Sequence, residues 1–538
     1  MNKFFRNIVF KIPFIRKAAS EQFKKLQTFG YSGGQSNRWV ADWISDTATI
    51  NRQIKYDMRK VRERARDMWK NNPLIRAYRK RLISDVIGPD GFKLQMRVKK
   101  TDGTPDKNIN DVVESAWEEW KKKDFCTMSG SLTFTQVLWL LIEQYKRDGE
   151  FIARDYYPDK SINKFGYSLD LIEPDLLDES FNEVRGSNAI IMGVELNEWN
   201  KRIRYHFRQY NPQDEVSGMY SFLGNSGNGK RIAIDAEYIN HIYDIEHSNQ
   251  VRGISHLAPV MMEMRQLHGY DEAAVINARI GAMKSMIVKR EKDTEMQGDT
   301  EDASGNLIHY ASNGETIYLN PGEDVSNWAP SYPNGEYPSF VKAFYRKIAV
   351  GLGMSYNAWL SDLESVNFSS MRSGLLTERD QWLVDQNFII ESFLNVIFTK
   401  WLKAAIMNGV LNLPYSQLER INKPEFLGRR WQWVDPYKDV QAAIEAINNG
   451  LSTRSRELKR QGYDFDDIID ELARENQKLK DAGISFSGSV NDTNNKMVDD
   501  EDDGEDEDKK EENHLILKDM ALLIKKHGNG HYKKLVEN

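Results

Sequence analysis

The chain has 538 residues, 40% of them hydrophobic and 29% charged, with 13 tryptophans, a composition that supports large cores and excludes a disordered or fibrous protein. One cysteine, Cys126, excludes intrachain disulfides and multi-cysteine zinc or iron–sulfur centres, and with no run of eighteen apolar residues no membrane span is expected. The net charge is −6, but residues 499–512 hold eleven acids against Lys509 and Lys510, a local −9 that leaves +3 on the remainder.

Residues 1–36 read as a basic, apolar-interleaved arm and a Gly/Ser linker, suited to docking on a partner rather than to export. A cationic helical stretch covers 51–81, broken at Pro73, and 82–100 then alternate around Gly88-Pro89-Asp90-Gly91. Helical spacing returns at 108–121 and 133–147, with Trp117, Trp120, Val137, Leu140 and Leu141 on apolar stripes. From 150 to 245 short alternating runs and turns follow, including AIIMGVEL (189–196) and RIAIDAEYINHIYD (231–244). An α+β body of about 200 residues is implied.

One continuous helix is expected over 259–288, which would span about 45 Å at 1.5 Å per residue. A polar stretch, a strand at 315–323 and a proline-punctuated loop lead to a second helix at 339–352. After the connection 355–368, a long helix runs from Ser369 and Ser370 to about Ala405. Residues 429–436 (RRWQWVDP) read as a strand, and helices are expected at 437–448 and 466–481. The acidic block within 485–513 cannot bury enough apolar surface to offset its ordering entropy and reads as a disordered linker. An amphipathic helix over 514–538 closes the chain, and no internal repeat is evident.

Several motif matches fail on context. Gly30–Gly34 fits G-x-S-x-G but lacks the strand and helix of a nucleophile elbow. Gly224–Lys230 fits the start of a P-loop, but Arg231 stands where a hydroxyl residue is needed and a strand-like run follows instead of a helix. Residues 499–510 imitate an EF-hand loop with Lys510 in place of the final glutamate. His241 and His247 share a strand face beside Asp244 and Glu246, which falls short of three convergent metal ligands. No nucleophile–base pair emerges, so no enzyme, metal or cofactor is expected. The cationic stretch 52–81 reads either as a nucleic-acid contact or, preferred, as a surface whose arginines pair with acids of a neighbouring subunit.

A series of phrases taken in order is more informative. It begins with Arg64-Ala-Arg66 through Pro73, Val86 through Gln95, Asp148-Gly149-Glu150, Leu171 through Asp175 and Gly193-Val194-Glu195. It continues with Gln250 through Ser255, Tyr270 through Ala273, Ile348 through Tyr356 with Gly351 and Gly353, and Asp362 to Asn367-Phe368-Ser369-Ser370-Met371-Arg372. Trp433-Val434-Asp435-Pro436 through Asp439, then Gln461 through Asp464, complete it. Across about residues 30–480 the chain resembles the lambda-type portal proteins of tailed bacteriophages; residues 490–538 match nothing in that pattern, and Phe368 stands where the family commonly has tyrosine.

That resemblance implies a non-enzymatic ring, usually of twelve subunits, at one capsid vertex, through which double-stranded DNA is packaged and ejected. Implied partners are copies of the chain itself, the large terminase subunit, the major capsid protein and scaffold, and a head–tail adaptor; the implied location is the virion, reached from the host cytoplasm. Carried onto this sequence, the parts are an arm (1–36), an α+β wing (37–253), stem helix 1 (254–288), a small β-containing clip (289–337), stem helix 2 (338–354), a tunnel loop (355–368), a tunnel helix and return to the wing (369–436), and crown helices (437–484), with the acidic linker (485–513) and terminal helix (514–538) beyond. The loop would line the DNA channel with Trp359, Asp362, Glu364 and Asn367, with Trp359 either packed back or wedged toward DNA. Gly351, Gly353, Tyr356, Ser369, Ser370, Arg372, Trp433, Asp435 and Pro436 carry the family signature. Two competing readings remain, an ATP-driven packaging motor, which would need a complete P-loop, and another virion component such as a minor head or connector protein.

Overall fold

A computed structural model describes residues 47–209, 231–283, 335–362, 364, 367–431 and 435–483, with short strands at 286–290, 300–301, 307–308 and 323–327. The chain divides into two units, Met1–Gly462 and Tyr463–Asn538. The arm and linker, the P-loop-like and EF-hand-like segments, the strand expected at 315–323 save its last residue, Glu323, and the terminal helix all lie outside the described residues.

In the first unit, α1 (Ile50–Asn71) turns Ile54, Met58, Ala65 and Trp69 to the protein interior at helical spacing. Asn72 ends it and caps α2 (Pro73–Arg81): its side-chain oxygen accepts the Leu74 and Ile75 amides at 2.9 and 3.3 Å, and Pro73 fills the first helical position, where no N–H is needed. A π-helical turn, Leu82–Ile87, follows and stops at Gly88. Strand β1 (Lys93–Met96) then leads to α3 (Lys107–Trp120) and to α4 (Phe134–Asp148), which begins with a reciprocal Thr133/Gln136 capping box.

The strands β2 (Glu150–Tyr156), β3 (Ser168–Ile172) and β9 (Ile239–Tyr243) form one antiparallel sheet in the order β3-β2-β9. A five-stranded meander holds β4 (Glu183–Arg185), β5 (Asn188–Ile191), β6 (Val194–Leu196), β7 (Arg202–Phe207) and β8 (Ile232–Asp235). The run 189–196 is therefore two strands, because Met192 and Gly193 take positive φ (49° and 82°) and reverse the chain. The run 231–244 likewise splits at a 3-10 turn, Ala236–Tyr238, and its halves enter different sheets.

The helix expected over 259–288 is two elements: α5 (Met261–Met283), then β10 (Met286–Arg290), which pairs antiparallel with β13 (Glu323–Asn327). The β-branched Ile287 and Val288 suit a strand, and a partner 37 residues away supplies what local periodicity cannot show. Two further strands, β11 (Thr300–Glu301) and β12 (Leu307–Ile308), pair with each other. After α6 (Tyr337–Gly351), the connection carries a short helix, α7 (Tyr356–Leu360), which composition alone does not reveal.

The long helix is present as α8 (Phe368–Ile389), a π-turn (Ile390–Leu394) and α9 (Asn395–Met407). The strand expected at 429–436 lies earlier, as β14 (Pro424–Leu427) paired with β1, and Arg429–Trp431 are not strand. Then come α10 (Pro436–Asn448) and a helix the sequence reading missed, α11 (Arg454–Arg460).

The core sits where α3, α4 and α9 meet. Trp117 lies 4.9 Å from Trp401 and 5.5 Å from Phe398 between ring centroids, and Trp120 contacts Phe134 at 5.1 Å. Such edge-on and tilted aromatic pairs each add about 0.5–1.5 kcal/mol beyond area burial. The second unit contains α12 (Phe465–Asp481), started by the Asp464 carboxylate accepting the Asp466 amide at 2.7 Å. Its apolar Phe465, Ile468, Ile469 and Leu472 recur at helical spacing, yet none of its residues is buried.

Candidate functional site

Phrases far apart in sequence meet in one charged cluster beneath the β2 strand. Arg62 of α1 donates to Glu150 and to Asp175, both at 2.7 Å, and Arg66 reaches Asp148 at 2.9 Å and also pairs with Asp175. Arg252, fully buried, grips both oxygens of the equally buried Glu150, one at 2.8 Å, and donates to the Met192 carbonyl at 2.9 Å. The His241 Nε2 sits 2.9 Å from Glu150 Oε2. Burial pushes the Glu150 carboxyl up, but Arg252, His241 and Arg62 outweigh it and hold the group well below the usual carboxylate range. Burial also drives His241 down to about 4, against the pull of Glu150.

Glycines let the backbones cross there. Gly149 has φ +86°, and a Cβ on it would fall 2.2 Å from the Ile254 carbonyl carbon; one on Gly253 would fall 2.0 Å from the Gly149 oxygen. The Asp-Gly-Glu and Gln-Val-Arg-Gly phrases are thus two halves of one packed junction.

This geometry revises the reading of the cationic stretch. Arg59, Arg62, Arg66, Arg79 and Arg81 pair with acids of their own chain. Lys55, Arg64, Lys70, Arg76 and Lys80 stand exposed and make no ion pair among the described residues. His241 and His247 do not converge: the first is committed to Glu150 and the second is exposed. Among the described residues no group of three His, Cys, Asp or Glu side chains is placed to hold a metal ion.

The connection between α6 and α8 is the second feature. Helix α6 lies against α5, with Tyr270 and Tyr337 stacked at 5.7 Å and Lys347 paired to Glu263 at 2.7 Å. Gly351 permits the close approach, since a Cβ there would meet Val260 at 2.4 Å, and Gly353 (φ +69°) turns the chain out of the helix. Trp359 is only 2% exposed and its indole donates to the Leu74 carbonyl at 3.0 Å, so the orientation the sequence left open resolves to packed back.

Asp362 is not a free carboxylate. Lys342 pairs with it at 3.1 Å and the Tyr356 hydroxyl donates to it; that hydrogen bond and the ammonium hold it down at about 2. Lys342 and Arg346 also lie over the Tyr356 ring, 5.5 and 5.7 Å from its centroid. Glu364 and Asn367 are exposed, and the Asn367 carbonyl accepts the Met371 amide at 3.0 Å to begin α8. The structure therefore separates the four candidate lining residues into two that are committed inside the chain and two at the surface.

Among the signature residues, Ser369 and Ser370 fall in the first turn of α8, and Arg372 pairs with Asp439 of α10 at 2.8 Å. Asp435 caps α10 through the Lys438 amide at 3.4 Å, with Pro436 at the first helical position. Trp433 lies outside the described residues. Sequence reasoning missed Arg62, Arg81, Lys342 and Glu378, whose partners are 20 to 277 residues distant. Only the positions of Arg62 and Arg81 within the cationic stretch gave any signal of their roles.

A family model described as "Phage portal protein, lambda family" matches residues 36–386. The chain is 30% identical over 456 residues to the "Probable portal protein" of Halomonas phage phiHAP-1, covering 84% of this chain and 86% of that one. It is 22% identical over 490 residues to "Portal protein B" of Escherichia phage lambda, covering 85% and 91%. Among solved structures it is similar, at a TM-score of 0.43 and 12% identity over 76% of this chain and 93% of the other, to a chain of the "Virion of native gene transfer agent (GTA) particle". No helix of the described residues is long and apolar enough to cross a membrane. With well over half its length matched, this chain belongs to the lambda family of phage portal proteins.

Proposed function

We propose that copies of this chain close into a ring, of twelve subunits as the family resemblance implies, at one vertex of a capsid, and that double-stranded DNA passes through its centre. Beyond family membership, the observation that supports this reading is the paired helices α5 and α6. Met262, Val275, Ile276, Phe340 and Val350 on them are large, apolar and exposed, a surface that a single chain leaves uncovered. A ring subunit needs two such complementary faces, one for each neighbour. In this reading residues 37–253 form the wing, α5 and α6 the stem, 289–337 the clip that meets terminase and then the head–tail adaptor, 355–368 the tunnel loop, and 437–484 the crown. No catalytic step is assigned to it.

The loop's place at the DNA is tested at Glu364, because Asp362 is occupied by Lys342. Changing Glu364→Lys should leave rings assembled but slow DNA translocation in a salt-dependent manner, since a new ammonium–phosphate contact releases counterions. Normal packaging by E364K at low salt would show that this side chain does not face the duplex.

A further inference from the structure

The cationic stretch singled out in the sequence has a role that neither DNA contact nor subunit pairing describes. Helix α7, which ends at the exposed Ser361, is seated on α2 at both ends of that helix. At the start of α2 the Leu74 carbonyl receives the Trp359 indole N–H at 3.0 Å. At its end the Arg81 guanidinium donates twice to the Ala358 carbonyl, at 2.7 and 3.2 Å. The remaining Arg81 nitrogen pairs with the buried Asp85 at 3.0 Å, and Asp85 takes Arg429 at 3.2 Å on its other oxygen.

A guanidinium that spends two donors on one main-chain carbonyl, with a third fixed by a buried carboxylate, is a directional clamp, not a solvated surface charge. The far side of the loop start is held separately. Ser355 donates to Glu378 of α8 at 3.0 Å, and Asp362 is tied to Lys342 of α6. Between these anchors the chain reverses at Ser361, a non-glycine residue with φ +55°, a conformation that persists where its flanks are fixed.

We infer that Arg81 is the positioning residue of α7, acting with Trp359 to seat it on α2 and so to fix where the chain leaves it at Ser361. Loss of the guanidinium removes both hydrogen bonds to Ala358 and leaves α7 held by Trp359, Ser355 and Asp362. The short α7, partly buried apart from the enclosed Trp359, then opens locally more often. The consequence for DNA rests on the channel-loop reading above; the seating itself does not.

The test is limited chymotrypsin digestion of assembled full-length rings, with cuts mapped by mass spectrometry. Tyr356, Trp359, Leu360 and Phe368 supply cleavage points within the segment. R81Q is expected to raise cutting within 356–368 by about tenfold with cutting elsewhere unchanged, and R81K, which can return one bond to Ala358, should restore part of the protection. If R81Q does not assemble, W359F, which removes the indole hydrogen bond and part of the buried ring but keeps an aromatic side chain, should raise the same cuts. Unchanged cutting within 356–368 in the variant that assembles overturns the inference. DNA packaging is measured on the same rings: increased cutting with impaired packaging supports both readings. Increased cutting with normal packaging keeps Arg81 as the positioning residue and removes the loop from the DNA path.

Discussion

Glu150→Gln is expected to destabilise the subunit by about 3–5 kcal/mol, the range seen when one partner of a buried ion pair is removed. Glu150 is completely buried and accepts from Arg62, Arg252 and His241 together, so its neutralisation strands two guanidinium groups away from water. The glutamine amide makes this worse, because one of its faces donates where the carboxylate accepted. Against a total stability of roughly 5–15 kcal/mol for a domain, much of the protein should fail to stay soluble. Thermal unfolding of the soluble fraction measures it, and a midpoint within 2 °C of the parent would refute the account of the cluster.

Acid should attack the same place. A histidine held neutral by burial has a folded pKa below its unfolded one, so its contribution is fully present above about 6.5 and is lost as pH falls toward the folded value. For His241, lowered from 6.5 to about 4, the loss between pH 7 and pH 5 is about 2 kcal/mol. His256, lowered by burial to about 3 with Lys146 adding to the effect, contributes in the same direction. The melting midpoint measured from pH 7.5 to 5 should fall steadily; a flat profile would contradict the neutral, buried state of His241.

Helices were legible where periodicity was local and self-sufficient. The stretches at 107–120, 134–148, 337–351, 436–448 and 465–481 carry apolar stripes that any partner surface would satisfy. Elements whose identity depends on a distant partner were not. Met286–Arg290 continues a helical run in sequence and becomes a strand only because Glu323–Asn327 lies beside it, and β14 is defined by β1, more than 300 residues earlier.

The site divides the same way. The phrases around Asp148, Asp175 and Arg252 were visible as a family pattern, but nothing in spacing shows that they join Arg62 in one cluster. In the loop, the absence of lysine and arginine from 355–368 was a correct reading of that segment and a poor guide to its electrostatics. Lys342 and Arg81, from helices before it in sequence, supply the cations. Composition describes a segment, whereas charge belongs to a neighbourhood in space.

The most direct measurement is electron microscopy of the purified full-length chain, with top views averaged and the subunits counted. The account predicts closed, twelvefold rings with a central hole wide enough for a DNA duplex, since heterologous faces on every subunit must either close or propagate. Single subunits at assembly concentrations, open filaments, or discs without a central opening would contradict it.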